Sequence, residues 1–137
     1  MQEALREARK AGEQGEIPIG AVVVCRGTII ARAHNLNEAL SDPTAHAEMQ
    51  AITMATHHLG GKYLTGCTLY VTMEPCPMCA AALAWSQISR VVYGASDPKR
   101  GYSLFTPPLM HPRTQVTAGV LGATCGQLVS DFFKKIR

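Results

Sequence analysis

The sequence predicts an α/β fold in which a five-stranded mixed sheet is covered by helices on both faces. Runs rich in β-branched residues alternate with segments whose apolar residues recur at helical spacing, and the first two such runs are separated by only two residues. An initial hairpin followed by alternating helices and strands is typical of a sheet whose later strands are parallel. We therefore expect antiparallel pairing at the start of the chain and parallel pairing afterwards.

The chain is predicted to open with an amphipathic helix over residues 1–14. Its apolar residues recur at helical spacing, at Ala4, Leu5, Ala8 and Ala11. Strands are predicted at 19–25 and 28–33. The two residues between them, Arg26-Gly27, indicate a tight hairpin, but arginine is a poor choice for a type I′ turn, so the turn type stays open.

The second helix is predicted to begin at Asp42-Pro43, with the aspartate as N-cap and the proline at the first helical position, and to end at Gly60-Gly61. This assignment places His46 in the first turns of the helix. Three strands and two helices complete the prediction: strand 68–72, helix 76–87, strand 90–95, strand 115–120 and helix 123–135.

Length and composition indicate one domain, residues 1–137. The hydrophobic content is 47%, which suffices for a buried core. No signal peptide and no apolar run of about 20 residues is visible, so we expect a cytoplasmic protein that does not enter a membrane. The five cysteines form an odd set, and we expect free thiols, with Cys25, Cys67 and Cys125 as buried small hydrophobes.

The positive charge lies in the second part of the chain. Residues 86–137 carry seven Lys and Arg against two Asp and Glu, whereas residues 1–85 carry six against eight. This polarity fits a polyanionic substrate that approaches from the C-terminal side. The long irregular stretch 97–114 contains Lys99, Arg100 and Tyr102, and a loop of this length is a candidate for substrate contact.

Two short motifs carry the predicted chemistry. His46-Ala47-Glu48 is followed 27 residues later by Pro75-Cys76-Pro77-Met78-Cys79. Together they supply one imidazole, two thiols and a carboxylate that need not be a metal ligand. A structural zinc normally has four protein ligands, whereas a catalytic zinc keeps three and leaves the fourth position to water. The motifs therefore predict a hydrolytic Zn²⁺ site with His46, Cys76 and Cys79 as ligands.

The remaining carboxylate, Glu48, is the candidate catalytic residue. Zinc in such a site provides hydroxide at neutral pH, and Glu48 would move protons from water to a ring nitrogen and to the departing amine. The reaction class is hydrolytic deamination of an amino-substituted heterocycle, at C4 of cytosine or C6 of adenine. In an ideal helix residues two apart differ by about 200°, so convergence of Glu48 and His46 requires a special helix entry.

Three segments of the chain carry a resemblance to a known family: Asp42-Pro43-Thr44-Ala45-His46-Ala47-Glu48, Leu69-Tyr70-Val71-Thr72-Met73-Glu74-Pro75-Cys76-Pro77-Met78-Cys79 and Arg90-Val91-Val92-Tyr93-Gly94-Ala95. With them, the region from about Ile17 to Phe133 resembles the bacterial tRNA-specific adenosine deaminases. The resemblance implies a three-layer, cytidine-deaminase-like fold, a homodimer, and conversion of adenosine to inosine at the wobble position of a tRNA anticodon stem-loop by attack of hydroxide at C6.

The resemblance also implies roles for further residues. Asn35 matches the asparagine that holds the flipped base, Ala47 would lend backbone contacts to that base, and Asp97 and Lys99 match positions near the RNA backbone. After Lys99 the family usually continues Thr-Gly-Ala-x-Gly-Ser, whereas this chain has the shorter Arg100-Gly101-Tyr102-Ser103.

Two alternatives remain open from the sequence. The same zinc chemistry could act on a free base, nucleoside or nucleotide of the cytosine, dCMP or guanine type. A protein of another class, a zinc-stabilised binding module or an inactive partner subunit, would close the metal with a fourth side chain such as Cys67, and the presence of Glu48 argues against it.

Overall fold

The computed structural model describes residues 1–136 and contains one five-stranded sheet. Its strands are β1 (Gly20–Cys25), β2 (Thr28–His34), β3 (Cys67–Met73), β4 (Arg90–Ala95) and β5 (Gln115–Thr117). Their order across the sheet is β2-β1-β3-β4-β5. β1 is antiparallel to both of its neighbours, whereas β3, β4 and β5 run parallel. The predicted mixed sheet with an N-terminal hairpin is confirmed.

Four α-helices cover the sheet: α1 (Gln2–Glu13), α2 (Ala47–Leu59), α3 (Pro77–Ser86) and α4 (Gly122–Lys135). α1 and α4 contact each other and lie on one face, against β1 and β4 respectively. α2 packs on β1 and β2 and contacts α3, and both helices contribute to the core on the other face. The architecture is therefore the three-layer α/β/α arrangement.

Alternation of side chains along the strands separates the two faces. The face toward α2 and α3 is a continuous buried cluster in which the helices contribute mostly alanine. Its members include Ala21, Val23, Leu69, Val71 and Val91 from the strands and Ala47, Ala51, Ala55, Ala80 and Leu83 from the helices. Small helical residues let the two helices lie close to the sheet, which brings their first turns near the end of β3.

On the opposite face, Gly20 explains how closely α1 crosses the sheet. A Cβ at this position would overlap the carbonyl oxygen of Ala4 and the backbone nitrogen of Ala8. A larger residue at the start of β1 would therefore push α1 away from the sheet.

Two predicted boundaries differ from the structure by three residues or more, and the turn type that the sequence left open can now be assigned. The second helix begins at Ala47, not at Asp42-Pro43, because the Asp42 carboxylate accepts the backbone N–H and the hydroxyl of Thr44 in a local turn. The last strand ends at Thr117. The hairpin residues Arg26 and Gly27 have φ values of 52° and 77°, so both adopt the left-handed conformation that a type I′ turn requires, despite the arginine.

Within the described residues, no helix is long and apolar enough to cross a membrane.

Candidate metal centre

The residues of both sequence motifs meet where two helices begin. His46 is the N-cap of α2, and Cys76 is the N-cap of α3. Cys79 follows in the first turn of α3, where it is fully buried. Cys76 comes three residues after the end of β3, so the site lies at the carboxyl end of that strand, as expected for an open α/β sheet.

Neither N-cap residue caps its own helix. N-cap side chains normally accept a hydrogen bond from a backbone N–H of the first turn, but His46 and Cys76 make no such bond. Both have extended backbone conformations, with ψ values of 155° and 169°. Their side chains are therefore free to point at a common centre instead of folding back on the helix.

The first N–H of α2 is capped by a distant residue, Asn35. Its Oδ1 accepts the backbone N–H of Ala47 at 2.8 Å, and its Nδ2 donates to the carbonyl oxygen of Ile17 at 3.1 Å. Asn35 is only 3% exposed. The asparagine thus fixes the start of α2 relative to the chain before β1. An amide nitrogen carries two hydrogens, so a second one remains for a ligand.

A buried carboxylate orders the segment between β2 and α2. Glu16 is 2% exposed and accepts the backbone N–H groups of Glu38 and Ala39, each at 2.9 Å. Within the segment, the amide nitrogen of Asn37 donates to the carbonyl oxygens of Asp42 and Pro43. These contacts hold the chain that leads into His46. The sequence patterns did not reveal Glu16, since an isolated glutamate near a helix end carries no local signal of burial.

The spacing of the three candidate ligands fits zinc. The Nδ1 atom of His46 lies 3.6 Å from the Sγ atom of Cys76 and 3.5 Å from that of Cys79. Zn–N and Zn–S bonds of about 2.0 and 2.3 Å at a tetrahedral angle would separate a nitrogen and a sulfur ligand by about 3.5 Å. In residues 1–136, this is the one group of three such side chains whose ligand atoms converge, all lying within 4.8 Å of one another.

The site favours the thiolate at Cys76, whereas the hydrogen bond with Cys76 and burial raise the pKa of Cys79. A hydrogen bond with Cys79 and the neighbouring imidazole of His46 lower the pKa of Cys76 to about 4, against the opposing effect of burial. Both cysteines also lie at the positive end of the α3 dipole, which stabilises negative charge. The donor set therefore suits a divalent metal that prefers nitrogen and sulfur.

Glu48 lies in the first turn of α2 and is 4% exposed. Burial removes its carboxylate from water and raises the pKa to about 7, partly offset by hydrogen bonds and the neighbouring His46. A carboxyl group with such a pKa exchanges protons readily near neutral pH. Because His46 precedes the helix, the angle of about 200° between helical residues two apart does not apply to this pair. The special helix entry required by the sequence is thus present.

The loop after β4 lies beside the metal centre. Asp97 is half-buried, and its Oδ1 accepts the backbone N–H groups of Lys99 and Arg100, each at 3.0 Å. Both basic side chains are exposed. The backbone N–H of Asp97 donates to Glu74, which comes two residues before Cys76. Glu74 is a second buried carboxylate that the sequence patterns did not reveal.

The geometry bears on the assignments made from the sequence to Cys67 and Ala47. Cys67 is the first residue of β3 and pairs with Cys25. It lies about 20 Å from the other end of β3, which is the end close to Cys76. It therefore cannot close the metal as a fourth ligand, and the binding-module alternative loses the ligand proposed for it. Ala47 is fully buried and its N–H is occupied by Asn35, so the predicted backbone contact of Ala47 to a base would use its carbonyl oxygen.

Comparison with protein families identifies the chemistry of the N-terminal two-thirds of the chain. Residues 1–95 match the family model described as the cytidine and deoxycytidylate deaminase zinc-binding region. The tRNA-specific adenosine deaminase of Bacillus subtilis is 50% identical, with 100% of this chain and 88% of the relative covered. That of Aquifex aeolicus is 48% identical, with 98% of this chain and 91% of the relative covered.

Solved structures show the same relationships. A structure from a study of A-to-I editing by tRNA:A34 deaminases at the wobble position of transfer RNA has a TM-score of 0.88 and 46% identity, covering 93% of this chain and 96% of that one. The guanine deaminase of Bacillus subtilis has a TM-score of 0.66 and 42% identity, covering 69% of this chain and 61% of that one.

Replacement of one candidate ligand gives a direct test of the metal centre. We expect Cys79→Ser to weaken zinc affinity by more than about 100-fold. Loss of a residue that only hydrogen-bonds to a metal ligand already costs roughly 10- to 100-fold, and loss of a ligand itself should cost more. Bound zinc stabilises the fold that holds it, so the Tm in the presence of zinc should also fall. The control Cys25→Ser, at the far end of the sheet, should keep its zinc. Full zinc content in Cys79→Ser would show that Cys79 is not a zinc ligand.

Proposed function

The chain belongs to the cytidine and deoxycytidylate deaminase family and groups there with the tRNA-specific adenosine deaminases; on this premise we propose that it converts adenosine to inosine in a tRNA anticodon stem-loop, at the wobble position. The reaction consumes one water molecule and releases one molecule of ammonia. Since tRNA is used in translation, we place the enzyme in the cytoplasm.

The observation that carries this proposal is the separation of the metal ligands from a buried, titratable carboxylate. Three ligands converge at the spacing of a tetrahedral zinc site, which leaves one coordination position for water. Glu48 is buried beside them and is not needed as a ligand. A structural zinc site with four protein ligands does not require a buried carboxyl group beside it, whereas hydrolysis requires one to transfer protons.

In this mechanism His46, Cys76 and Cys79 would hold zinc, which would act as a Lewis acid and acidify water. Glu48 takes a proton from that water and delivers it to a ring nitrogen of adenine as C6 is attacked. It then takes the second proton of that water, which remains on the oxygen now bound to C6, and delivers it to the exocyclic amine, so that ammonia leaves and the carboxylate is restored. Asn35 positions the extruded base through its remaining amide hydrogen.

The surface beside the centre supports an RNA substrate. Lys99 and Arg100 are exposed on the loop that follows β4, and Asp97 orders their backbone. We assign Asp97 and Lys99 to contacts with the RNA backbone. Cations at fixed positions near the metal can neutralise the phosphates that flank a flipped base.

A second candidate is deamination of a free purine base. It is favoured by the similarity to the guanine deaminase of Bacillus subtilis, which extends over 69% of this chain. The similarity to tRNA-specific deaminases covers the whole chain, including the loop after β4 and α4. We therefore rank the tRNA substrate first.

The enzyme acts, in our proposal, as a homodimer. α2 and α3 leave large apolar side chains exposed on one face, and Trp85 on α3 is 84% exposed. An exposed tryptophan of this size commonly marks a protein interface.

The oligomeric state provides a prediction. The wild-type protein should have twice the 14.7 kDa mass of the chain in sedimentation equilibrium, and Trp85→Lys should shift it to the monomer, because a buried ammonium group is costly at an apolar interface. The control Ile136→Lys, beyond α4 on the other face, should remain dimeric. A wild-type monomer at high concentration would contradict the proposal.

The substrate is tested by ammonia release from an anticodon stem-loop with adenosine at the wobble position, compared with free adenosine, guanine, cytidine and dCMP. We expect turnover only on the stem-loop, with inosine detected in the product. Glu48→Gln should retain zinc and lose at least about 100-fold in kcat, since general acid–base catalysis contributes roughly 10²- to 10⁴-fold. Turnover confined to guanine would replace the RNA substrate by a free base and leave the zinc assignment intact.

Salt dependence tests the basic loop. If Lys99 neutralises a phosphate, Lys99→Ala should reduce the slope of log affinity against log salt by about 0.7 to 0.9. Lys62 lies just beyond the end of α2, the helix whose start is at the metal centre, so Lys62→Ala is a matched control that should leave the slope unchanged. Equal slopes for the wild type, Lys99→Ala and Lys62→Ala would show that Lys99 does not neutralise an RNA phosphate.

A further inference from the structure

Glu74 connects the strand that leads to the metal with the loop that carries the basic residues. Its backbone N–H donates to the carbonyl oxygen of Ala95 at 2.8 Å, which extends the pairing of β3 and β4 by one step. The residue is 5% exposed. Among the residues that the structure describes, no lysine, arginine or histidine side chain forms an ion pair with it. The polar contacts of its side chain are therefore hydrogen bonds.

Those hydrogen bonds all come from the two ends of the 97–103 loop. One carboxylate oxygen of Glu74 accepts the backbone N–H of Asp97 at 3.0 Å. The other accepts the backbone N–H of Ser103 at 3.0 Å and the hydroxyl of the same serine at 2.7 Å. A single carboxylate thus fixes the beginning and the end of this loop at once.

The loop also packs closely against the carboxylate of Glu74. A Cβ at Gly101 would overlap the carboxylate atoms of Glu74. The φ of Gly101 is −62°, which any residue can adopt, so the close approach and not the backbone conformation accounts for glycine here. Next to it, the backbone N–H of Tyr102 donates to the carbonyl oxygen of Pro75 at 2.9 Å. Pro75 immediately precedes the metal ligand Cys76.

The middle of the loop is fixed relative to its anchored start. The carbonyl oxygen of Asp97 accepts the N–H of Gly101, and its side chain accepts those of Lys99 and Arg100. The chain from Asp97 to Ser103 is therefore a short, internally bonded unit that is hydrogen-bonded to the end of β3 through Glu74 and Pro75, while Tyr102 packs against the core. Displacement of this unit would move the two exposed cations relative to Cys76.

We propose that Glu74 is a positioning residue for the substrate, which sets the distance between the phosphate-binding cations of the 97–103 loop and the ligand cluster His46, Cys76 and Cys79, beside which the base is attacked. The inference rests on the proposed RNA substrate for its functional part only. Glu74 does not touch the reacting atoms. It acts through Asp97 and Ser103, and its removal should weaken substrate binding without impairing the chemical step.

The test is Glu74→Gln, which keeps size and shape. A carboxylate accepts hydrogen bonds with both oxygens, whereas the amide nitrogen of glutamine can only donate, so one end of the loop must lose its acceptor. Trypsin cleaves after lysine and arginine, and cleavage after Lys99 and Arg100 should accelerate about tenfold, the effect of losing one hydrogen bond to a charged group. Cleavage after Arg113, which is exposed but not held by Glu74, should not change.

The kinetic readout separates positioning from a general structural role. For the stem-loop substrate, KM should rise about tenfold while kcat stays within about twofold and the zinc content is unchanged, the pattern for a loss of uniform binding. Ser103→Ala removes only one of the three donors and should give a smaller shift in the same direction. The matched control Glu13→Gln, an exposed glutamate on α1, should behave as wild type in every assay.

The proteolysis and the kinetic results can each contradict the positioning role of Glu74. Wild-type protection of Lys99 and Arg100 in Glu74→Gln, or equal falls of kcat and zinc content, would overturn the positioning role. If the wild-type enzyme does not deaminate the stem-loop, the proposed function fails, and selective cleavage at Lys99 and Arg100 alone then decides whether Glu74 fixes the loop.

Discussion

The structure depends on one constraint: two helices must begin at the same point in space. Two of the three candidate ligands, His46 and Cys76, are themselves the N-caps of α2 and α3, and their side chains do not satisfy the first-turn donors of the helices they open. The first donor of α2 is satisfied from outside, by Asn35. The alanine-rich faces of both helices then allow them to approach the sheet closely enough for their ends to meet. Fold and site are consequences of the same packing.

Three buried glutamates surround this point, and their different surroundings give them different roles. Glu16 and Glu74 each accept two backbone N–H groups from a loop that flanks the centre, so both serve as anchors. Glu48 lies against the metal ligands, where burial dominates and raises its pKa to about 7. The environment of each carboxylate, and not its residue type, determines whether it holds the backbone or exchanges protons.

The sequence predicted the sheet, its mixed pairing, the three metal ligands and the nearby carboxylate, because these features follow from local periodicity and from motif spacing. Prediction from the sequence failed where a hydrogen bond joins residues that are far apart in the chain. Asp42-Pro43 carries every local signal of a helix start, yet α2 begins at Ala47, whose N–H is bound by a side chain twelve residues away. The anchors Glu16 and Glu74 act over 22 to 29 residues, and no local pattern distinguishes them from surface glutamates.

The close contact between Gly101 and the Glu74 carboxylate makes these two positions interdependent. A side chain at position 101 fits only if residue 74 becomes shorter, and a shorter residue 74 leaves the N–H groups of Asp97 and Ser103 without their acceptor. Single substitutions at either position are therefore costly, although a compensated pair could be tolerated. Directed evolution of the loop toward other nucleic acids would consequently have to randomise position 74 together with positions 97–103, since libraries confined to the loop would sample only variants compatible with a glutamate beneath it.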